Sequence, residues 1–290
     1  MTSQPLHIHD DKIAHLEEKA NEIRRDLVKM LEHAGSGHSA GPLGMADIFT
    51  ALYFHVLNHR PKQPNWKDRD RLILSNGHIC PIRYVCMAHA GYFPKKELMT
   101  LRRLGTRLQG HPEKDRLPGV ETTSGPLGEG LAQAAGMAYA ARMNDDTWRV
   151  FCVTGDGELQ EGICWESLLF IAKEKLANLT IIVDRNQIQI DGFVEDVTGE
   201  EPLRDKFESF GFHVIEIDGH NIEQFVDATE EARAVYKKPS VIIANTIPGK
   251  GVDFMEKKFE WHGKPPNPKE ARSALAQLRT LGGTIQSEHE

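Results

Sequence analysis

The sequence predicts an α/β protein: a doubly wound, mostly parallel sheet flanked by helices. Short β-branched apolar runs alternate with longer segments of helical periodicity, which is the pattern of strand-crossover-strand units. Two of the runs, Val150 to Thr154 and Leu179 to Val183, end in turns rich in Gly, Asp and Asn and enclose an apolar helical segment. A right-handed crossover then sets those two strands side by side and parallel. No internal repeat or linker breaks the alternation, so residues 10 to 270 read as one domain. Residues 1 to 9 read as an N-terminal extension, and 271 to 290 as the end of a helix and a polar tail.

The elements follow in order. Residues 10 to 33 form an amphipathic helix, with Ile13, Leu16, Ala20, Ile23, Leu27 and Leu31 on one face, stopped by Gly35 and Gly37. Met45 to Leu57 is a second helix, and the polar loop from Asn58 to Asp68 separates it from a short strand, Arg71 to Leu74. Helical stretches Ile79 to Ala90 and Lys95 to Arg103 precede a long loop from Gly105 to Gly128. A loop of that length inside a compact domain is ordinarily functional or mobile. A small-residue helix, Glu129 to Met143, leads into the two strands named above. Beyond them come a helix from Pro202 to Phe210, a strand His213 to Ile217, a helix Ile222 to Tyr236 and a strand Ser240 to Asn245. Loop follows from Gly249, then a polar helix from Pro268 to Leu278.

The 290 residues are enough to bury a substantial core, and 40% hydrophobic with 27% charged is ordinary for a globular protein. A net charge of −7 and the lack of a Lys/Arg-dense run argue against nucleic acid as the main partner. No apolar stretch approaches the roughly 20 residues that span a bilayer. The first residues carry no apolar core of a secretory signal. Cys80, Cys86, Cys152 and Cys164 form no CxxC pair and read as buried thiols in a reducing cytoplasm. No Cys/His spacing supports zinc.

The chemistry concentrates between Trp148 and Gly192. Asp156, in Gly155-Asp156-Gly157, and Asn186, thirty residues on, both fall at the carboxyl ends of neighbouring strands, where open α/β sheets bind ligands. One carboxylate, one amide oxygen and a nearby carbonyl are hard donors suited to Mg²⁺, an ion that leaves part of its octahedron to phosphate and water. The flanking glycines let a phosphate approach the backbone. Three Gly-His pairs, at His38, His78 and His111, and a fourth histidine, His262, occupy loops. One such histidine is ordinarily a surface residue or a satisfied hydrogen-bonder; four that share a strand edge suggest proton handling near neutral pH. Ser124 to Gly130 reads as a loop and helix start. Glu161 and Glu166, five residues apart, read as helix-dipole partners.

GDG followed by ELQEG, WE and DRNQ at these spacings resembles the thiamine diphosphate motif of transketolases. SGHSAGPLGMADI, LSNGHI, GHPE, SGPLGEG and EWHGKPPN match the same family. The resemblance covers residues about 10 to 270 and implies a thiamine diphosphate-binding fold of the diphosphate-domain type. It implies that Asp156, Asn186 and the carbonyl of Ile188 hold Mg²⁺, with Ca²⁺ or Mn²⁺ as substitutes, against the cofactor's diphosphate. Gly155 and Gly157 would contact that diphosphate, and His78 would lie near it and the thiazolium. Gly125, Pro126 and Leu127 would meet the aminopyrimidine. His38 and His262 would contact substrate oxygens, and His111 would handle their protons. Glu161 and Glu166 are implied in subunit contacts and a charged link between active sites, and Lys250 in a loop closing near the phosphate, a solvated lysine being the alternative. Two departures stand out: Ser39 where the family commonly has Pro, and Pro248 where a basic residue is frequent.

A single-chain transketolase continues into a pyrimidine-binding domain, whose glutamate activates the cofactor, and a third domain. The expected protein is therefore the N-terminal subunit of a split transketolase. It would form an α2β2 assembly with a C-terminal subunit and transfer a two-carbon ketol unit between sugar phosphates. Three alternatives stay open: a split enzyme for an unusual or branched sugar phosphate, the α subunit of a 2-oxo-acid dehydrogenase, and a non-catalytic binding or regulatory subunit.

Overall fold

The computed structural model describes residues 10–278, 280–281 and 284–285. Its helices are α1 (Asp10–Ala34), α2 (Ala40–Gly44), α3 (Ala46–Ala51), α4 (Cys80–Ala90), α5 (Glu129–Met143), α6 (Gly162–Lys173), α7 (Val194–Val197), α8 (Leu203–Ser209), α9 (Ile222–Ala234) and α10 (Pro268–Gln277). Its strands are β1 (Arg71–Leu74), β2 (Val150–Gly155), β3 (Leu179–Arg185), β4 (Ile188–Gln189), β5 (Gly192–Phe193), β6 (His213–Asp218), β7 (Ser240–Asn245), β8 (Thr280–Leu281) and β9 (Thr284–Ile285). The expected N-terminal extension lies outside the described residues, as does part of the expected tail.

A five-stranded sheet of order β1-β2-β3-β7-β6 forms the centre, and every pairing in it is parallel. The expected adjacency of β2 and β3 is present, with Gly155 opposite Asp184. Helices cover both faces, so β1, β2, β3 and β7 are buried on both and read as nearly continuous apolar runs, whereas the edge strand β6 mixes buried and exposed residues. Phe151, Val153, Ile182 and Ile242 pack with α1, α3, α4 and α9 on one face. Val150, Cys152, Ile181, Val183 and Ile243 pack with α5, α6 and α8 on the other. All four cysteines are free and buried. No helix among the described residues is long and apolar enough to cross a membrane.

Two local expectations are corrected. The helix expected over Met45 to Leu57 is α3 followed by a π-helical turn, Leu52–Val56, in which the Leu57 amide reaches back to Leu52 O at 2.9 Å. The separate α2 ahead of it was hidden by its Gly and Pro content. The chain breaks between α2 and α3 at Met45 (φ −86, ψ 5), and glycine precedes it where a Cβ on Gly44 would lie 3.0 Å from Ile247 O. The helix expected from Lys95 to Arg103 is a 3-10 segment, Lys95–Thr100. It ends at Leu101, which turns extended (ψ 130), and beyond it Arg102 is left-handed (φ 60), its amide donating to Leu108 O at 2.8 Å.

One buried ionic chain ties the helical layer to the carboxyl edge of the sheet. Arg24, 1% exposed on α1, donates to Asp47 on α3 at 2.8 and 2.5 Å. Asp47 accepts from His220 Nδ1 at 2.9 Å, and His220 Nε2 accepts from the Ile247 amide at 2.7 Å. Burial opposes the charge on Asp47, but Arg24 and His220 outweigh it and hold the carboxyl below its usual range. Arg24→Met leaves that carboxylate without its guanidinium, and a stability loss of about 3–5 kcal/mol is expected in urea unfolding. A loss below about 1 kcal/mol would mean that His220 alone satisfies Asp47.

Candidate active site

The carboxyl ends of β1, β2 and β3 open into a cavity of about 430 Å³. β1 runs into Ser75-Asn76-Gly77-His78, β2 into Asp156-Gly157, and β3 into Asn186-Gln187-Ile188. The Asp156 side chain is buried. Its Oδ1 accepts from the Gly157 amide at 2.9 Å and its Oδ2 from the Gln187 amide at 2.6 Å. Gln187 is left-handed (φ 62), uncommon for a residue other than glycine, and that turn aims its N–H at Asp156. Asn186 donates to Asp184 Oδ2 at 2.8 Å and accepts from the Ile188 amide at 3.0 Å, so its amide orientation is set at both ends. Asp156, Asp184, Asn186 and Ile188 all line the cavity.

Burial, then the neighbouring Asp184, pushes Asp156 up to about 7, and burial pushes Asp184 to about 6. A divalent cation against Asp156 is the kind of partner that restores a buried carboxylate to its ionised form. Among the described residues no group of three or more His, Cys, Asp or Glu is placed to hold a metal. The available donors, one carboxylate, one amide oxygen and one carbonyl, therefore suit a hard cation that shares its shell with ligand oxygens.

The four histidines converge. Ring centroids lie 5.0 Å apart for His38 and His78, 4.9 Å for His78 and His262, 5.6 Å for His38 and His262, and 6.5 Å for His38 and His111. Arg102 bridges two of their loops, donating to Ser36 Oγ at 3.1 Å and to Gly110 O at 3.4 Å. Ser39 Oγ donates to Lys264 O at 2.6 Å, joining the His38 loop to the His262 loop. The departure at Ser39 therefore supplies an anchor that a proline lacks. Burial, then His262, Arg102 and His111, lowers His38 to about 3. Burial also depresses His78, His111 and His262. At neutral pH the cluster is a set of uncharged imidazoles in one cavity.

Of the residues expected from sequence, His38, His78, His111, His262, Gly125, Leu127, Gly155, Asp156, Gly157, Glu161, Asn186 and Ile188 all line this cavity. Pro126, exposed, is not among the lining residues, and neither is Lys250, which is 2% exposed rather than solvated. Glu166 is exposed on α6. The Gly155 amide is engaged by Glu158 and the Gly157 amide by Asp156, so these glycines serve the site chiefly by lacking side chains. Sequence reasoning missed Asn76, Glu158, Asp184, Gln160 and Gln189. Asp184 and Glu158 stand inside the motifs DRNQ and ELQEG, and an acidic residue at the end of an apolar strand was the available signal for Asp184.

Fold and site together define a class: an α/β domain whose strand ends open into a polar cavity lined by oxygen donors and imidazoles. Residues 16–282 match the family model described as transketolase, thiamine diphosphate binding domain, and the chain belongs to that family. It is 40% identical to a 6-deoxy-6-sulfo-D-fructose transketolase subunit (SqwG) of Clostridium sp. strain MSTE9, over 92% of this chain and 97% of the relative. It is 42% identical to an apulose-4-phosphate transketolase subunit of Actinobacillus succinogenes, over 91% and 96%. The transketolase structure from Campylobacter jejuni superposes with a TM-score of 0.85 at 37% identity, over 91% of this chain and 42% of that one.

The histidine cluster sets a pH dependence. A base whose folded pKa is depressed leaves stability intact above its unfolded value of about 6.5, and stability falls as pH drops below it, because the unfolded chain takes up the proton first. The histidines' share of the unfolding free energy should therefore decline between pH 7 and pH 5. Asp156 and Asp184 contribute oppositely, because their raised folded values favour the folded state as pH falls. Relative to wild type, His78→Asn should gain stability over that interval in urea titrations. An unchanged slope in the variant would show that His78 titrates freely.

Proposed function

We propose that this chain is the N-terminal, diphosphate-binding subunit of a two-subunit transketolase. With its partner it moves a two-carbon ketol unit from a ketose phosphate to an aldose phosphate. One observation carries the reading: four neutral histidines and the Asp156, Asn186 and Ile188 donors share a single cavity at the ends of β1 to β3.

The residues present fit thiamine diphosphate and Mg²⁺. Gly125 lines the cavity, and nothing lies within 4 Å of where its Cβ would stand, so the backbone there is open to a flat ring. Asn76 Oδ1, His38 Nδ1 and His262 Nδ1 are buried without hydrogen-bond partners. Asp156, Asn186 and the Ile188 carbonyl would hold the metal, and Leu127 would pack against the pyrimidine. When bound, the cofactor supplies the carbon nucleophile and electron sink that this chemistry requires. This chain contributes binding, orientation and proton management. Its imidazoles are neutral at pH 7, so each can accept a hydrogen bond or a proton from a substrate hydroxyl, or donate an N–H hydrogen bond to a carbonyl oxygen. Their burial keeps competing water away from those oxygens.

Several features support a separate partner. The two subunit relatives are matched along nearly their whole length, whereas the Campylobacter jejuni transketolase is matched along 42% of its own. Met143, Leu169 and Phe170, on α5 and α6, are exposed at 68%, 61% and 40%, as suits a permanent interface between copies and subunits in an α2β2 assembly. We place the domain over residues 10–270 and the protein in the cytoplasm, where its four free thiols would stay reduced. The names of the two subunit relatives favour a second reading of the substrate, an unusual or branched sugar phosphate or sulfonate rather than the common pentose and hexose phosphates.

The purified chain should turn over no ketose phosphate with thiamine diphosphate and Mg²⁺ alone, and should gain activity when the partner is added. In the reconstituted enzyme Asp156→Ala should abolish activity and weaken cofactor binding in calorimetry. Robust turnover by the chain alone would overturn the two-subunit reading. His111→Ala or His262→Ala in the assembled enzyme should lower turnover by about 10²- to 10⁴-fold with little change in cofactor affinity. Full kcat/KM in both variants would remove these histidines from the chemistry.

A further inference from the structure

We propose that Glu158 is a positioning residue that fixes the spacing between the two ends of the cofactor cradle; this rests on the proposed cofactor reading. Glu158 follows the GDG turn in a 3-10 segment, Gly157–Gln160, and is 3% exposed. Its carboxylate accepts from three different segments. Oε1 takes the Ser75 hydroxyl, at the end of β1, at 2.6 Å and the Gly128 amide, at the start of α5, at 2.6 Å. Oε2 takes the Gly155 amide, at the end of β2, at 3.0 Å.

Each segment leads directly to a different part of the site. Ser75 precedes Asn76 and His78, Gly128 follows Gly125 and Leu127, and Gly155 precedes Asp156. The loop proposed to meet the pyrimidine and the turn proposed to meet the diphosphate are thus bound to opposite oxygens of one planar group. Close packing leaves those segments little slack. A Cβ on Gly130 would lie 2.5 Å from Ser75 Cα, and one on Gly128 would lie 2.4 Å from Ile163 Cγ2.

A carboxylate is needed because all three partners are donors. Glutamine keeps the size but offers one acceptor oxygen. With that oxygen on Ser75 and Gly128, its amide N–H₂ faces the Gly155 N–H, donor against donor; turned over, it faces the Gly128 N–H, while the Ser75 hydroxyl can rotate to accept. Either orientation displaces one end of the cradle relative to the other, while the hydrophobic core is left intact. Buried donors left unmatched are costly even where a matched bond contributes little.

The test uses the full chain assembled with its partner and measures binding of Mg²⁺-thiamine diphosphate by calorimetry beside thermal unfolding. Ile243→Val, a core change on β7, serves as a destabilised control. Glu158→Gln should weaken cofactor binding by roughly 10- to 100-fold, and Ser75→Ala, which removes one donor and leaves the carboxylate, by only about 2- to 10-fold. Ile243→Val should keep wild-type affinity despite a lower Tm. The inference is overturned if Glu158→Gln binds within about twofold of wild type, or loses no more affinity than an equally destabilised core variant. Should Glu158→Gln not fold, Ser75→Ala decides: unchanged affinity overturns the proposal. Wild type failing to bind the cofactor would instead refute the functional reading, and this inference with it.

Discussion

The parallel pairing of β2 with β3 is the constraint on which the rest of the molecule depends. It places Gly155 opposite Asp184, so the residues just beyond each strand end, Asp156 and Asn186, emerge side by side. Helices on both faces keep water from the sheet, and the polar groups at its carboxyl edge must find partners within the protein or in a ligand. The hydrogen bonds of Asp156, Asp184, Asn186 and Glu158 are the local answer to that requirement, and the cavity is the space they leave.

Around this edge the loops are held by ionic and polar ties rather than by regular structure. Arg102 spans the loops of His38 and His111, and the Arg24-Asp47-His220 chain carries the order of α1 and α3 to the segment after β7. The long segment between Thr100 and Glu129 contains no helix or strand, yet it is anchored: Tyr84 Oη binds Gln109 O at 3.0 Å and Ser124 N binds Pro112 O at 3.1 Å. His111 is therefore positioned without being part of a helix or strand.

Much of this was legible in the sequence. The inner strands were readable because burial on both faces writes them as unbroken apolar runs, whereas the edge strand β6 mixes buried with exposed residues, and β1, β7 and α5 fall where periodicity put them. The GDG turn and the Gly-His pairs were readable because their chemistry demands particular residue types. What escaped were features set by distant contacts. The π turn after α3 and the left-handed Arg102 answer to packing that no local pattern records. Glu158 was overlooked because a glutamate near a helix start is ordinarily a solvated dipole partner, and only the fold shows three donors from far-off segments meeting it. Pro126 carried the motif but lies exposed between two residues that line the cavity.

The hydrogen bond from Ser39 to Lys264 joins residues 225 positions apart, across one flank of the histidine cluster. During synthesis the segment bearing His38 leaves the ribosome early and waits for almost the whole chain before its tether exists. Long-range closures of this kind form late, because the entropy of the intervening chain must first be lost to the folding of the sheet. The histidine cluster therefore cannot be complete until the segment around Lys264 has been made and docked. A chain ending before that segment would lack the tether on the His38 loop together with the α10 side chains Ala271 and Ala274 that join the core.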